Sequence, residues 1–152
     1  MRLSRNHTLA ELCFSETALR CGLDNAPPEE LLPNLRRLAE GLEQVRALLG
    51  PALEVSSAYR GGALNEAVGG APSSHHVLGW AADFTCPDYG PPLQIALALA
   101  ASSIAFDTLI LEYGRWVHIS FAPEARRRIM SIYEDATGYR DGLWDAEGIR
   151  QA

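Results

Sequence analysis

The sequence predicts an α+β fold, because helical patterns occupy the first part of the chain and strand patterns dominate the rest. Apolar residues recur every three or four positions up to residue 49, whereas the short runs from residue 53 onward are mostly strand-like. The length of 152 residues suits one compact domain, so we expect a single domain over residues 1–152. We expect a small antiparallel sheet flanked by helices.

Three helices are predicted before residue 50. Thr8 and Glu11 fit a capping box that starts the first helix, and Ser15 can start a second short helix that Gly22 ends. A long helix is predicted over residues 28–49, stopped by Gly50. One face of this helix is apolar and belongs to the core: Leu31, Leu35, Leu38, Leu42, Val45 and Leu49.

The rest of the chain predicts five strands and one helix. Residues 92–101 are alanine-rich and nearly all apolar, which is typical of a largely buried helix. Tyr113-Gly114-Arg115 separates two strands and predicts a hairpin. The tail after residue 133 predicts a loop. The strands are expected at residues 53–57, 81–85, 108–112, 116–120 and 128–133.

Charge and hydropathy exclude several partners. The net charge of −6 argues against nucleic acid, and the short basic run Arg126–Arg128 is expected to be part of a solvated surface. No apolar run approaches the roughly 18 residues that a membrane span needs. Asn6, His7 and Glu11 interrupt any apolar segment near the start, so we expect no signal peptide and a protein that is cytoplasmic as synthesised.

The three cysteines do not indicate a metal or redox motif. Cys13, Cys21 and Cys86 cannot all pair within one chain and show no C-x-x-C spacing. Reduced and mostly buried thiols are expected. Cys86 lies an odd number of positions after Asp83, so in a strand it would face the opposite side of the sheet.

Histidines and one aspartate are the candidate metal ligands. His7 has no ligand neighbour at a useful spacing, which leaves His75, His76 and His118. Asp83 lies within an apolar run and is expected to be at least partly buried, so it needs a charged or hydrogen-bonding partner. A zinc ion held by two histidines and this aspartate would satisfy that need.

Residues 74–83 resemble the signature S-x-H-x-x-G-x-A-x-D of the zinc D-Ala-D-Ala carboxypeptidases. They read Ser74-x-His76-x-x-Gly79-x-Ala81-x-Asp83. That family includes phage enzymes that cut L-Ala-D-Glu bonds, and Hedgehog is a fold relative. The segments Ser57-Ala58-Tyr59-Arg60 and Trp116-Val117-His118 are similar to the family's S-x-Y-R and W-x-H, in the same order. The N-terminal part also resembles the small phage-associated branch.

This resemblance implies one zinc ion per chain, bound by His76, Asp83 and His118. His75 then takes the variable position of the signature and is expected to face solvent. Gly79 and Ala81 would be small so that the loop and strand can pass close to neighbouring backbone near the metal.

The resemblance also implies two substrate-binding residues. Arg60 matches the arginine that grips the substrate carboxylate, and its alternative role is a structural salt bridge. Ser74 matches a residue that hydrogen-bonds the substrate, and it could equally cap the loop.

The general base is where the sequence departs from the family. Several members place an acid three residues before the last ligand histidine, a position that Arg115 occupies here. Glu112 is the nearest acid, six residues before His118, so on regular extended chain both side chains would share one face. Across a hairpin that turns at Gly114-Arg115, they would be near cross-strand neighbours. We therefore expect Glu112 to be the base, the alternative being an acid at a strand end.

The main functional hypothesis is a zinc metallopeptidase that hydrolyses peptide bonds in bacterial peptidoglycan, as carboxypeptidase or endopeptidase. Its partner would be the stem peptide, and we expect a monomer. It would be a phage-type lytic enzyme, released by other means or associated with the virion, or a cytoplasmic dipeptidase. The alternatives are a zinc-stabilised, non-catalytic peptidoglycan-binding or phage structural module, and an unrelated α+β domain without metal.

Overall fold

The chain forms five α-helices and six β-strands in the computed structural model, which describes residues 1–152. The helices are α1 (Leu9–Cys13), α2 (Glu16–Cys21), α3 (Leu32–Leu49, preceded by a 3-10 turn at Glu29–Leu31), α4 (Gly62–Ala67) and α5 (Pro92–Ala100). The strands are β1 (Glu54–Ser57), β2 (Ala81–Thr85), β3 (Thr108–Glu112), β4 (Trp116–Ser120), β5 (Arg128–Ile132) and β6 (Arg140–Asp141).

The first two helices begin at the predicted caps. The Thr8 hydroxyl accepts a hydrogen bond from the Glu11 N–H, and the Ser15 hydroxyl caps α2 in the same way. Gly22 ends α2 with φ of 65°, a left-handed conformation that glycine adopts without strain. The Glu11 carboxylate contacts His7 Nδ1 at 2.6 Å, which gives this buried histidine its partner.

The six strands form one sheet in the order β1-β2-β4-β3-β5-β6. Every neighbouring pair is antiparallel except β3 and β5, which run parallel. The predicted antiparallel sheet is therefore confirmed except for this one pair. The reason is that residues 121–127 carry the chain from β4 past β3 before β5 begins, so β5 enters on the far side of β3 in the same direction.

The two faces of the sheet carry different side chains, because successive side chains of a strand point to opposite faces. One face packs against α3 and α5 in a cluster of 23 buried residues. The opposite face carries Asp83, His118 and Ile110 in one row across β2, β4 and β3. The core-facing residues of the central strands are Ala82, Phe84, Leu109, Leu111, Val117 and Ile119.

Two short elements, α4 and β6, are not predicted from the sequence, and β6 lies in the tail that is predicted as a loop. Helix α4 has six residues and no side-chain cap, so it is too short for a clear apolar period. Strand β6 has two residues, which pair with Met130 and Ser131 of β5. None of the helices combines the length and the apolar character that a membrane-spanning segment requires.

The basic run lies at the surface as predicted, with Arg126 and Arg128 exposed, but two of its arginines also make specific contacts. Arg126 forms a bidentate pair with the buried Asp107 at 2.9 and 2.8 Å. Arg127 donates to the carbonyl of Ser102 at 2.7 Å and lies over the Phe106 ring. These two arginines therefore tie the β4–β5 connection to the segment that follows α5.

All three cysteines are free thiols. Cys86 is buried, and its sulfur faces the carbonyls of Pro51 and Ala52 in the core, away from Asp83 as predicted. Cys21 is exposed, so the expectation of mostly buried thiols is wrong for this residue, which lies at the end of a short surface helix.

Helix α3 packs closely against the chain that leaves β4. A Cβ atom added at Gly41 would lie 2.5 Å from three atoms of the Phe121 ring, and Phe121 is buried. We predict that Gly41→Ala lowers the free energy of unfolding by about 1–3 kcal/mol, the usual cost of overpacking a core. Urea denaturation monitored by circular dichroism measures this change.

Gly62→Ala is the matched control, because Gly62 is also in a helix and an added Cβ there meets nothing within 4 Å. It should leave the stability unchanged or raise it slightly. Equal stability of the Gly41→Ala variant and the unaltered protein would show that α3 can move away from Phe121 at no cost.

Candidate metal centre

Asp83 and His118 face each other across the centre of the sheet. They are directly paired residues of β2 and β4, so their side chains leave the same face at the same height. His118 Nδ1 lies 3.0 Å from Asp83 Oδ1. Strand pairing alone therefore brings together two residues that are 35 positions apart in the chain.

His76 reaches the same carboxylate from the loop between α4 and β2. Its Nε2 lies 3.2 Å from Asp83 Oδ1, and its Nδ1 lies 2.7 Å from the carbonyl oxygen of Ala58. A carbonyl oxygen only accepts hydrogen bonds, so Nδ1 carries a proton. The Arg60 N–H donates to the His76 carbonyl at 3.1 Å, which holds this loop against the segment after β1.

These contacts fit a bound metal ion. In a neutral His76 with a proton on Nδ1, the lone pair of Nε2 faces a carboxylate oxygen, and the two repel. Either a second proton or a bound cation removes this repulsion. The ligand atoms of His76, Asp83 and His118 all lie within 4.8 Å of one another, and two imidazoles with a carboxylate form a donor set that suits zinc.

The Asp83 carboxylate is ionised in this setting. Burial alone would raise its pKa, but the two histidines that contact the carboxylate, His76 and His118, hold the pKa well below the usual range. Two histidines are therefore the partners that the partly buried Asp83 is expected to need.

Glu112 lies beside the three candidate metal ligands, at the end of β3. Its Oε1 is 3.8 Å from His118 Nδ1, as expected for two residues on one face of a hairpin. Burial raises the pKa of Glu112, and the negative charge of Asp83 raises it further. Arg115 lies in the exposed hairpin turn and does not line the site, so the family's usual acid position points elsewhere in this chain.

An open cleft of about 480 Å³ contains the three ligands and Glu112. A second cleft of about 530 Å³ lies between β1 and α2, and the two clefts share Arg60, Val68 and Asp83. Tyr113, Trp116 and Tyr139 add aromatic walls to the first cleft. Tyr139 is missed by the sequence analysis, since it belongs to a tail that carries no motif.

Arg60 lies where the two clefts meet. It forms none of the protein's ion pairs, which removes the alternative of a structural salt bridge. Its Nε is buried and has no hydrogen-bond partner. Burial lowers the pKa of Arg60, while the nearby Asp83 and Glu112 raise it.

Ser74 caps the loop that carries His76. Its hydroxyl accepts a hydrogen bond from the His76 N–H at 3.2 Å, so the capping alternative describes its contact within the protein. Ser74 also lines the first cleft, where its hydroxyl proton remains available to a ligand.

The expectation that His75 faces solvent is wrong. About three quarters of its side chain is covered, because 25% of it is exposed. Its Nδ1 lies 2.6 Å from the Ser120 hydroxyl, and its ring meets Trp80 edge-on at 5.9 Å. The sequence could not indicate this contact, since Ser120 comes from a distant strand.

Gly79 is required for a reason other than the predicted one. It has φ of 78°, and an added Cβ would lie 3.2 Å from Leu35 of α3. The glycine therefore allows the turn into β2 and its packing on α3, rather than a close backbone approach at the metal site. Ala81 is buried in β2 opposite Ser120.

Comparison with known proteins agrees with this geometry. The family model described as Peptidase M15 matches residues 5–120, from the N-terminal segment to the end of β4. A search of the curated proteins finds no match. The matched region includes His76, Asp83 and His118, whereas β5, β6 and Tyr139 lie beyond it. Since the match covers well over half of the chain, the protein belongs to the peptidase M15 family, the metallopeptidases of the zinc D-Ala-D-Ala carboxypeptidase type.

Proposed function

We propose that this chain hydrolyses peptide bonds in the stem peptides of bacterial peptidoglycan, with one zinc ion held by His76, Asp83 and His118. The observation that carries the proposal is the convergence of two imidazole nitrogens on one oxygen of Asp83. The presence of Glu112 in the same cleft supports a catalytic site. The family match supports peptidase chemistry.

The metal and Glu112 would have separate roles in the reaction. Zinc bound here would lower the pKa of a water molecule and polarise the scissile carbonyl. Glu112 accepts the proton of the attacking water at its carboxylate and returns it to the leaving amine. In the absence of a metal, burial raises the pKa of Glu112, which makes its carboxylate a stronger base than that of an exposed glutamate.

Arg60 is proposed to bind the substrate carboxylate beside the scissile bond. Its guanidinium has no carboxylate partner in the protein, so it remains available for one from the substrate. Ser74 is proposed as a second hydrogen-bonding contact.

The two clefts favour endopeptidase over carboxypeptidase action. They extend on both sides of Arg60 and Asp83, which leaves room for peptide before and after the scissile bond. A carboxypeptidase needs space for only one residue beyond that bond. We therefore propose an endolysin-like role, in which the enzyme reaches the cell wall after release or as part of a virion.

A non-catalytic, zinc-stabilised peptidoglycan-binding module is the second candidate. Arg115 at the position where relatives carry an acid favours it. The two candidate functions differ in the expected effect of replacing Glu112, since only an enzyme needs a proton acceptor there.

We predict that His76→Ala, Asp83→Ala and His118→Ala each remove zinc from the purified protein. Each substitution deletes one of three ligands, and the two that remain hold the ion much less tightly. Inductively coupled plasma mass spectrometry measures the zinc content per chain.

His75→Ala is the matched control for metal binding, because His75 is a histidine of the same cleft whose Nδ1 contacts Ser120 and not Asp83. This variant should keep one zinc per chain. Full zinc content in all three ligand variants would overturn the assignment, and loss of zinc only in the His75 variant would shift the ligand by one residue.

We predict that Glu112→Gln lowers hydrolysis of purified peptidoglycan peptides by at least about 100-fold, since general-base catalysis typically contributes 100- to 10,000-fold. The amide keeps the shape of the side chain and the bound zinc but cannot accept the proton. Mass spectrometry of the released fragments measures the rate and identifies the cleaved bond.

Glu147→Gln, which alters an exposed glutamate in the C-terminal tail, should hydrolyse the peptides at the normal rate. A Glu112→Gln variant as active as the unaltered enzyme would remove Glu112 from the mechanism. A zinc-loaded but inactive unaltered protein that still binds peptidoglycan would favour the binding module.

We predict that Arg60→Ala lowers kcat/KM by about 10- to 100-fold for peptides with a free carboxylate beside the scissile bond, the loss expected for hydrogen bonds to a charged group. The same peptides with that carboxylate amidated should be cleaved equally by both proteins. Arg115→Ala, which alters an exposed arginine, should keep the preference for the free carboxylate. An unchanged preference in Arg60→Ala would assign the carboxylate site to another residue.

A further inference from the structure

The cleft contains a histidine that the proposed chemistry does not use. His75 lines the cleft together with His76, Glu112 and His118, and 25% of its side chain is exposed. Its Nδ1 has a partner 2.6 Å away, the hydroxyl of Ser120 in β4. The hydrogen bonds of that hydroxyl decide which ring nitrogen of His75 carries the proton.

Ser120 is fully buried, so its hydroxyl proton needs an acceptor inside the protein. The hydroxyl oxygen accepts a hydrogen bond from the Ala122 N–H at 3.3 Å, and its second partner is His75 Nδ1. The proton must therefore point to Nδ1, which makes Nδ1 the acceptor. A proton on Nδ1 would leave the buried hydroxyl without an acceptor.

With Nδ1 as acceptor, the proton of His75 resides on Nε2. Nε2 has no hydrogen-bond partner in the protein, and the atom is not fully buried. It is therefore open to the cleft and offers one N–H donor there. Edge-on packing against Trp80 restricts the ring and hence the direction of this donor.

The same three residue types occur in serine hydrolases, but the geometry here excludes that chemistry. Asp107 Oδ2 and the Ser120 hydroxyl both face Nδ1 of His75, at 3.9 and 2.6 Å. A relay needs the acid and the nucleophile on opposite ring nitrogens. In addition, Asp107 is occupied by Arg126 and by the Thr108 hydroxyl.

We propose that His75 is a substrate-binding residue whose Nε2–H donates a hydrogen bond to a carbonyl oxygen of the bound peptide. Ser120 is a positioning residue, which acts by holding His75 in the tautomer with the proton on Nε2. This inference rests on the proposed peptidase function, because it requires a peptide in this cleft. A peptide backbone supplies the acceptor that an N–H donor in a cleft would recognise.

The test uses the zinc-loaded protein with His75→Ala, His75→Gln and Ser120→Ala. We expect His75→Ala to lower kcat/KM for a peptidoglycan peptide by about 10- to 100-fold, a range typical for a lost donor at a reacting carbonyl or a substrate oxygen. His75→Gln should recover most of this loss, since its amide N–H₂ can reach a similar position. Zinc content should remain one per chain in all variants.

A double-mutant cycle separates positioning from a general structural effect. Ser120→Ala should lower kcat/KM alone but have little further effect when His75 is already alanine. Additive effects of the two substitutions would overturn the role of Ser120. Nitrogen NMR of the His75 ring should show the proton on Nε2 in the unaltered protein and a mixture of tautomers in Ser120→Ala.

Measuring peptide affinity as well as cleavage distinguishes the peptidase proposal from the proposed role of His75. If the unaltered protein binds the peptide without cleaving it, the peptidase proposal fails, and weaker binding by His75→Ala in calorimetry still supports the contact. Unchanged kcat/KM and unchanged affinity in His75→Ala would overturn the inference while leaving the peptidase proposal intact. A protein that neither cleaves nor binds the peptides would overturn both.

Discussion

The carboxylate of Asp83 is the group on which the arrangement of the site depends. It lies in the second strand of the sheet, largely covered, and a buried negative charge is stable only beside positive or hydrogen-bonding groups. Two imidazoles from separate segments meet that need. One oxygen of Asp83 thus contacts both the loop before β2, through His76, and strand β4, through His118. A bound cation would join these three side chains.

The alternation of side chains lets one small sheet serve both stability and chemistry. Ala82 and Phe84 face the core, whereas Asp83 between them faces the cleft. A shift of β2 by one residue would exchange these positions and bury a charge among apolar side chains. The buried apolar residues on both sides of Asp83 therefore fix the register that the candidate metal centre needs, although their own side chains face the core.

The sequence predicts those features that depend on local pattern. The bounds of β2, β3 and β4 follow from apolar runs between turn residues, and the even spacing of Glu112 and His118 correctly places them on one face. The parallel β3–β5 pair could not be predicted, because it depends on the path of the chain past β3. The contact of His75 with Ser120 and the position of Tyr139 in the cleft depend on tertiary packing in the same way.

The pairing of β2 with β4 also has a kinetic consequence. β3 and β4 form a local hairpin, but Asp83 and His118 are 35 residues apart, so their contact requires a long loop to close. Contacts of this kind form slowly and late in folding. The candidate ligand set is therefore complete only in a nearly native chain, and an ion bound there would slow unfolding more than it would speed folding. In a protein that unfolds irreversibly, this resistance to unfolding determines how long the folded state persists.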